Sequence, residues 1–198
     1  MARAPEDSVH PADRAEWRAW LEQHHATSSG VWLLTWRKAS GKAALRYEEA
    51  VEEALCFGWI DAKVRSLDDQ RTMQWFTARK RGSAWARSNK ERVARLTAQG
   101  LMRPAGLAAM ETAKADGSWS VLDEVEAEVV PDDLAAALDE RPPARQNFDA
   151  FPASARKAVL FWLVSAKRPE TRAKRVREAA ERAQRGERID QPERRPRT

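Results

Sequence analysis

The hydrophobic positions near the start of the chain follow a helical period and then give way to a strand. Trp17, Trp20 and Leu21 recur at helical spacing among polar residues between positions 13 and 25, as in an amphipathic helix. Residues 31–37 then form a short run rich in β-branched and aromatic side chains, which is typical of a buried strand. The pattern therefore predicts a helix followed by the first strand of a sheet.

A second helix and a hairpin follow in the pattern. Residues 47–57 place alanine, valine and leucine on one face and four glutamates on another, which predicts an amphipathic helix that ends at Gly58. Apolar and charged residues alternate over residues 59–65. The alternation resumes over residues 73–77, after the Asp68-Asp69 turn. Two alternating runs joined by a turn predict an antiparallel hairpin.

The rest of the chain has helical periodicity. Ser88 and Glu91 fit a capping box, so we expect a helix to begin near Ser88 and to present free backbone N–H groups there. Pro104 and Pro169 are placed as first-turn prolines of later helices. After Ile189 the tail is rich in Pro and Arg, and we predict that it is disordered. The predicted helices span about residues 88–100, 104–117, 131–140, 154–166 and 169–186.

These elements predict an α+β fold. A small antiparallel sheet with flanking helices forms the N-terminal half, and the C-terminal half is all α. We expect an α+β part over residues 1–100, a helical part over residues 101–189 packed on it, and a disordered tail over residues 190–198. A chain of 198 residues is long enough to bury a core without disulfides or metals.

The cysteine content and the terminal sequence predict a cytoplasmic protein. Cys56 is the single cysteine, and it follows an apolar helical face, so a buried thiol is expected rather than a nucleophile. The first nine residues carry acidic side chains and no apolar run of the kind that a signal peptide needs. No segment approaches the length of a membrane span.

The net charge of +5 is concentrated at the C-terminal end. Residues 142–198 hold 15 Lys and Arg against 7 Asp and Glu, a balance of +8, whereas residues 1–141 hold 20 against 23. Such an asymmetry is compatible with a solvated arginine-rich helix or with an anionic partner. In the predicted last helix, four arginines fall near one face and could contact phosphates. These candidate nucleic-acid or anion-binding residues are Arg172, Arg175, Arg182 and Arg185.

Few residues suggest catalysis or a cofactor. His10, His24 and His25 all lie near the first helix, and adjacent histidines on a helix point about 100° apart, so they predict no metal site. The chain has no HExxH motif, no CxxC motif and no glycine-rich phosphate loop. We therefore expect no metal and no cofactor, and a binding protein rather than an enzyme.

Aromatic, basic and polar residues gather in the hairpin, its exit loop and the start of the next helix, where binding groups collect. Arg79 and Arg92 offer planar contacts to a carboxylate or phosphate, and Trp59 or Trp85 offers a stacking face. This pattern predicts a site for an unknown small molecule or peptide. The candidate ligand-binding residues are Trp59, Asp61, Trp75, Arg79, Lys80, Ser83, Trp85, Asn89 and Arg92.

Two other interpretations of these residues stay open. The tryptophans could be core residues, with Asp61 paired to Arg79 and Ser88 only capping its helix. Alternatively, the protein could be an enzyme acting on a small acidic or aromatic metabolite, with Asp61 as base and Arg79 as anion anchor. A deep pocket that contains Asp61 would favour the enzyme.

Two blocks of sequence resemble the YdeI/OmpD-associated, or bacteriocin-protection, family. The first runs from the Trp-Arg-Ala-Trp-Leu helix at residues 17–21, through Cys-Phe-Gly-Trp-Ile-Asp at 56–61, to Asn-Lys-Glu-Arg at 89–92. The second combines Phe-Pro-Ala-Ser at 151–154 with Lys-Arg-Pro-Glu-Thr-Arg at 167–172. Together they span most of the chain.

The resemblance implies a small α+β N-terminal part, a helical C-terminal part and a bacterial stress-tolerance role linked to bacteriocins or cationic antimicrobial peptides. It implies no agreed catalytic mechanism. A protein with a net charge of +5 is a poor general sequestrant of polycations. Only the acidic stretch over residues 116–133 would suit one.

Overall fold

The computed structural model describes residues 4–189, and its contacts divide the chain into two compact units, Met1–Trp119 and Ser120–Thr198. The expected boundary at residue 100 precedes the last helix of the first unit. The packing of one part on the other stays a prediction, and the tail expected at residues 190–198 lies outside the described residues.

The first unit contains β1 (Ser8–Val9), α1 (Arg14–His24), β2 (Val31–Trp36), a 3-10 turn (Lys38–Ser40), α2 (Tyr47–Cys56), β3 (Trp59–Ser66), β4 (Arg71–Ala78), α3 (Arg87–Ala98) and α4 (Pro104–Ala115).

The second unit is helical throughout its described part. Contacts of α9 with α6, α7 and α8 form its core, in which Leu134, Phe148 and Leu163 are completely or almost completely buried. Its elements are α5 (Asp123–Glu126), α6 (Asp132–Asp139), α7 (Ala144–Asp149), α8 (Ala153–Val164) and α9 (Pro169–Gln184). The predicted α+β class, with helices in the C-terminal half, is confirmed.

The sheet of the first unit has the order β1-β2-β4-β3. The predicted antiparallel hairpin is present as β3 and β4, and β2 pairs antiparallel with β4. β1 pairs parallel with β2, so the sheet is mixed rather than purely antiparallel. The pattern did not predict β1 because two residues are too few to show a period.

The predicted alternation of β3 is interrupted by a register shift between Asp61 and Lys63. Such a bulge changes the face to which the following side chains point. β3 is also one of the two edge strands of the sheet, and Val64 on it is 67% exposed. The apolar positions of β3 therefore do not all reach the core.

The core of the first unit joins the helices to one face of the sheet. Trp17 of α1, Leu55 of α2 and Phe76 of β4 are fully buried members of one cluster. The indole Nε1 of Trp17 donates a hydrogen bond of 3.0 Å to the Ala50 carbonyl, so this tryptophan is buried with its polar atom satisfied.

The predicted capping box at Ser88 is wrong. α3 begins at Arg87, and Ala86 occupies the N-cap position with no side-chain hydrogen bond. Ser88 therefore lies inside the first turn, where its hydroxyl cannot act as the cap. Trp85 is buried immediately before the helix. We attribute the start of α3 at Arg87 to this packing rather than to the local capping pattern.

Candidate functional site

The loop that leaves β4 and the helix α4 enclose a cavity of about 230 Å³. Residues 79–83 and Trp85 line one side. Ala109, Thr112 and Ala113 of α4 line the other side, together with Asp116 and Ser118. A backbone hydrogen bond of 3.3 Å from Trp85 N to Ser118 O joins the two walls. Segments more than 20 positions apart in the sequence thus form one site.

Arg79 is the charged group at the base of this loop. Its Cζ lies 3.8 Å from the centroid of the Trp85 ring, within the range of a cation–π contact. Its Nη1 donates a long hydrogen bond of 3.3 Å to the Ala84 carbonyl. Its Nε is buried and has no hydrogen-bond partner among residues 4–189.

Burial lowers the pKa of Arg79 to about 10, while the negative charge of Asp61 acts in the opposite direction. Removal from water disfavours a charged side chain unless a partner compensates. A buried donor without a partner costs about 1–3 kcal/mol. Arg79 is therefore a cation whose environment leaves part of its hydrogen-bonding capacity unused.

Asp116 holds the shape of the loop. Its carboxylate accepts hydrogen bonds from the Gly82 backbone N at 3.1 Å and from the Ser118 backbone N at 3.0 Å. The Ser118 hydroxyl donates a further bond of 2.6 Å. The hydrogen bonds of Ser118 are the main reason why the pKa of Asp116 lies below its ordinary value. This carboxylate is engaged with the loop and lies near Arg81, and within the described residues it forms no ion pair with Arg79.

The remaining charged groups of the cavity are basic. Lys80 and Arg81 are exposed beside the partly buried Ser83, and the Nε of Arg81 lies 3.7 Å from Asp116 Oδ2. The lining holds three cationic side chains against one carboxylate. An anion would be favoured in this cavity.

The structure brings Arg79, Lys80, Ser83 and Trp85 together, but Trp59 and Trp75 lie elsewhere. Trp59 is 1% exposed in the core, and its Nε1 donates to the His25 carbonyl at 3.1 Å. Trp75 contacts Trp32 edge to face, with ring centroids 5.3 Å apart. Neither of these two predicted site residues lines the cavity.

Asp61 lies on the bulged part of β3. Its Oδ2 accepts hydrogen bonds from Gln74 Nε2 at 2.8 Å and from the Tyr47 hydroxyl at 3.3 Å. The side chain is half-buried and does not line the cavity beside Arg79. The deep pocket that would favour Asp61 as a base is therefore not the one formed around Arg79.

Asn89 and Arg92 form a separate cluster with α2. Arg92 donates from Nε and Nη2 to Glu48 Oε2 at 3.0 and 2.7 Å, and from Nη1 to Asn89 Oδ1 at 2.8 Å. These contacts link α3 to α2. The planar donors of Arg92 are occupied, in contrast to those of Arg79.

The four arginines predicted to form a basic face on α9 all make contacts inside the second unit. Arg172 pairs with Asp133 at 2.7 Å, and Arg175 donates to the Trp162 carbonyl and to the Ser165 hydroxyl. Arg182 and Arg185 each lie 3.0 Å from a glutamate oxygen, of Glu178 and Glu187 respectively. A phosphate at this face would have to compete with these partners.

Sequence reasoning missed the second wall of the cavity. Asp116 and Ser118 lie more than 30 positions after Arg79 in the chain, and no local pattern joins them to it. A signal was nevertheless present, because an Asp-Gly-Ser sequence after a helix is typical of a turn in which the aspartate side chain binds backbone N–H groups.

A larger cavity of about 510 Å³ lies where α1, α2 and α3 meet. Arg14 and Arg18 line it, but both pair with the buried Glu53 at 2.5 Å, and Glu52 also accepts from Arg14 at 2.9 Å. A third cavity of about 390 Å³ lies between α6 and α9. We favour the cavity at Arg79 because the arginines of the larger one are already neutralised by carboxylates.

Neither a candidate membrane-spanning helix nor a candidate metal-binding group is found among the described residues. Residues 4–189 include no helix that combines the length and the apolar character needed to cross a bilayer. In the same residues, no three His, Cys, Asp or Glu side chains come together in a group that could hold a metal ion.

The fold and the cavity define a two-unit α+β protein with a candidate anion site in its N-terminal unit. Residues 128–186 match the family described as "Bacteriocin-protection, YdeI or OmpD-Associated". Residues 9–109 match a domain of unknown function, DUF8412. The chain belongs to the family defined by the DUF8412 domain, which covers residues 9–109, and its second unit carries a domain of the YdeI/OmpD-associated family over residues 128–186. No curated protein and no solved structure matches it.

Proposed function

We propose that this protein is a binding protein that holds a small anionic ligand, with a carboxylate or phosphate group, in the cavity beside Arg79. The observation that carries the proposal is the buried Nε of Arg79, which has no partner among residues 4–189. A ligand anion that enters the cavity and accepts from the Arg79 guanidinium would compensate part of the cost of this unsatisfied, desolvated cation, about 1–3 kcal/mol. An arginine matches the planar geometry of a carboxylate or phosphate.

The surroundings of Arg79 support the same proposal. Trp85 holds the guanidinium from one side, so little side-chain entropy is lost when a ligand binds. Lys80 and Arg81 add positive charge, and Ser83 adds a hydroxyl group at the cavity. A volume of about 230 Å³ suits a small metabolite better than a folded peptide segment.

The enzyme hypothesis has less support. It requires Asp61 as a base close to the ligand, but both described hydrogen bonds of Asp61 go to Tyr47 and Gln74. Asp61 influences Arg79 through its charge without lining the cavity. We therefore propose that Asp61 stabilises the site electrostatically rather than by proton transfer.

The family description supports a role in bacteriocin tolerance, which we propose to depend on ligand binding rather than on capture of the cationic peptide. The acidic residues that could attract a polycation are partly engaged, since Glu128 pairs with Arg156 at 2.5 Å and Asp133 with Arg172. We also propose a cytoplasmic location, because the buried free thiol of Cys56 suits a reducing compartment. Survival of a sensitive bacterium that expresses Arg79→Gln or the unchanged protein tests the role; equal protection by both would contradict it.

Thermal unfolding and calorimetry of the full chain with inorganic phosphate, sulfate and a series of mono- and dicarboxylates test the binding. We expect at least one of these anions to raise the melting temperature of the unchanged protein. Arg79→Gln keeps a similar size but loses the charge, so it should abolish this shift while remaining folded.

Arg92→Gln is the matched control because Arg92 already donates to Glu48 and Asn89. The control should retain the anion-dependent shift. An equal shift in Arg79→Gln, or no shift with any of the anions, would overturn the proposal.

A further inference from the structure

The sheet of the first unit has a face that does not belong to its core. Side chains alternate across a strand, and Val31, Leu33 and Phe76 point to the helices as members of the core cluster. The residues on the opposite face include Trp32, Trp36, Met73 and Trp75, all partly exposed and all outside that cluster. We call these four residues the aromatic face.

Strand register places the members of the aromatic face in adjacent rows. Trp32 pairs with Trp75 across β2 and β4, and the next row of this face pairs Leu34 with Met73. Leu34 is 2% exposed, so the partly exposed rings lie beside a packed position. A Cβ added to Gly30 would meet Cζ2 of Trp75 at 2.3 Å, which shows that this ring lies against the backbone.

Cationic side chains lie over the rings. Lys42 Nζ is 3.7 Å from the centroid of Trp36, and Arg65 Cζ is 5.5 Å from that of Trp32. Arg71 lies 5.8 Å from the Trp36 ring. Lys63 is exposed on the edge strand and pairs in register with Trp75. Positive charges therefore lie over or beside the aromatic rings of this surface.

Acidic residues are scarce in the strands that form this surface. Residues 31–42 contain three Lys or Arg and no Asp or Glu, and residues 63–66 add two further basic residues. At the hairpin turn, Asp68 is bound to Arg71 at 2.7 Å. The Nε of Arg37 is buried without a partner within the described chain, while its Nη2 donates to the Ser66 hydroxyl at 2.8 Å. The charge of this surface is complementary to a polyanion.

His10, at the border of the aromatic face, is affected by the same positive charges. The ring of His10 lies 5.0 Å from that of Trp36. Burial, and then the positive charges of Arg71 and Lys42, lower the pKa of His10 below its ordinary value. An anion bound at this surface would oppose the charge contribution and raise that pKa.

We propose that the aromatic face binds single-stranded nucleic acid, with bases stacked on the tryptophan rings and phosphates contacted by Lys42, Lys63 and Arg65. Aromatic platforms within a basic groove bind single strands with little sequence preference, because every base has a π-face. A duplex keeps its bases stacked internally, and an acidic peptide has no planar bases for the rings. The aromatic face shares no residue with the anion site at Arg79.

Fluorescence anisotropy of the full chain with a labelled oligothymidylate of about 12 nucleotides tests the proposal. Lys63→Glu combined with Arg65→Glu changes two exposed side chains, so folding should be preserved. We expect this variant to bind at least about tenfold more weakly. Each lost phosphate contact should also reduce the slope of log affinity against log salt by about 0.7.

The matched control combines Lys174→Glu with Arg177→Glu, which makes the same charge change on two exposed positions of α9. This control should bind almost as the unchanged protein does. Arg79→Gln should also bind normally, which separates this surface from the proposed anion site. Oligothymidylate should quench part of the tryptophan fluorescence and raise the pKa of His10, measured by NMR.

Four outcomes would overturn the proposal. They are the absence of binding at about 50 mM salt, an equal loss of affinity in the α9 control, equal binding of a duplex without tryptophan quenching, and equally effective competition by polyglutamate. The last two would indicate a surface that recognises charge alone. If Trp32→Leu folds and binds normally, the stacking part of the proposal is also wrong.

Discussion

The guanidinium of Arg79 lies 3.8 Å from the ring of Trp85, and Trp85 is 1% exposed. The position of the charged group is therefore set by a side chain of the core. Rigid support of this kind lowers the entropic cost of binding. It also leaves the free protein with a desolvated cation, which is a cost in stability that the proposed ligand would relieve.

Arg79→Met should stabilise the ligand-free protein slightly, by about 1 kcal/mol, because an apolar side chain replaces a desolvated charge of similar length. Urea unfolding measures the change. Since burial lowers the pKa of Arg79 to about 10, the folded state begins to bind fewer protons than the unfolded state only as the pH approaches that value. The gain should therefore be constant from about pH 6 to pH 9.

Arg92→Met is the comparison for this prediction. It removes the ion pair with Glu48, whose side chain is 59% exposed, so a loss of less than about 1 kcal/mol is expected. If Arg79→Met destabilises the protein by more than Arg92→Met, then Arg79 contributes to the stability of the fold. Its desolvation would then no longer support a ligand site in the cavity.

Glu53→Gln should destabilise the first unit by about 3 kcal/mol. The carboxylate is 2% exposed and receives ion pairs of 2.5 Å from Arg14 and Arg18, so its neutralisation leaves two arginines without their main partner. Thermal or urea unfolding measures the loss.

Glu111→Gln provides the control, because Glu111 is 64% exposed in its pair with Lys114. This change should alter stability by less than about 0.5 kcal/mol. Similar effects of the two substitutions would mean that the Glu53 cluster is solvated and contributes little.

Gly106→Ala should destabilise the protein by about 2 kcal/mol, although helix propensity alone predicts a gain of about 1 kcal/mol. An added Cβ would lie 2.3 Å from the Cys56 carbonyl oxygen and 2.7 Å from that of Leu55. Because α4 approaches α2 so closely, we expect this substitution to lower the free energy of unfolding rather than raise it. Circular dichroism during thermal unfolding measures it.

Ala108→Gly tests propensity on the same helix at an exposed position. It should lower the stability by about 1 kcal/mol. The measured value gives the size of the helix-propensity effect in this helix. A gain in stability for Gly106→Ala would show that α4 can move away from α2 without loss.

Arg172→Ala should lower the stability of the second unit at neutral pH but not in acid. The hydrogen bond from Arg172 is the first reason why the pKa of Asp133 is lowered. A carboxyl with a lowered folded pKa stabilises the folded state above its unfolded pKa of about 3.9 and loses this contribution as the pH falls through the folded value. Both side chains are about one-third or more exposed, so the loss at pH 7 should stay below about 1 kcal/mol.

Unfolding of Arg172→Ala at about pH 7 and pH 2.5 makes this comparison. Arg177→Ala, at an exposed position of the same helix, should differ little from the unchanged protein at both values. If Arg172→Ala lowers the free energy of unfolding by the same amount in acid as at neutral pH, the Asp133 carboxylate has no role in the loss.

Local patterns determined most of the elements. The spacing of Trp17, Trp20 and Leu21 predicted α1, and the two alternating runs predicted the β3–β4 hairpin, because both periods are properties of the backbone itself. The prolines at positions 104 and 169 marked two helix starts correctly. Short elements such as β1 and α7 carried too few residues to show a period.

The candidate site was predicted only in part. Sequence proximity correctly suggested that Arg79, Lys80, Ser83 and Trp85 would share a loop. It could not show that Trp59 is core or that Arg92 reaches Glu48, because burial and ion pairing depend on elements that are distant in the sequence.

By itself, the sequence thus determined the order and type of the long elements and the chemistry available near the hairpin. Tertiary structure alone decided which of the two candidate-site arginines, Arg79 or Arg92, is left with an unused donor. Arg92 meets a carboxylate from α2, whereas the nearby Asp116 uses its oxygens to hold the loop at Gly82 and Ser118. Whether a charge is satisfied depends on which partners the folded chain brings within hydrogen-bonding distance.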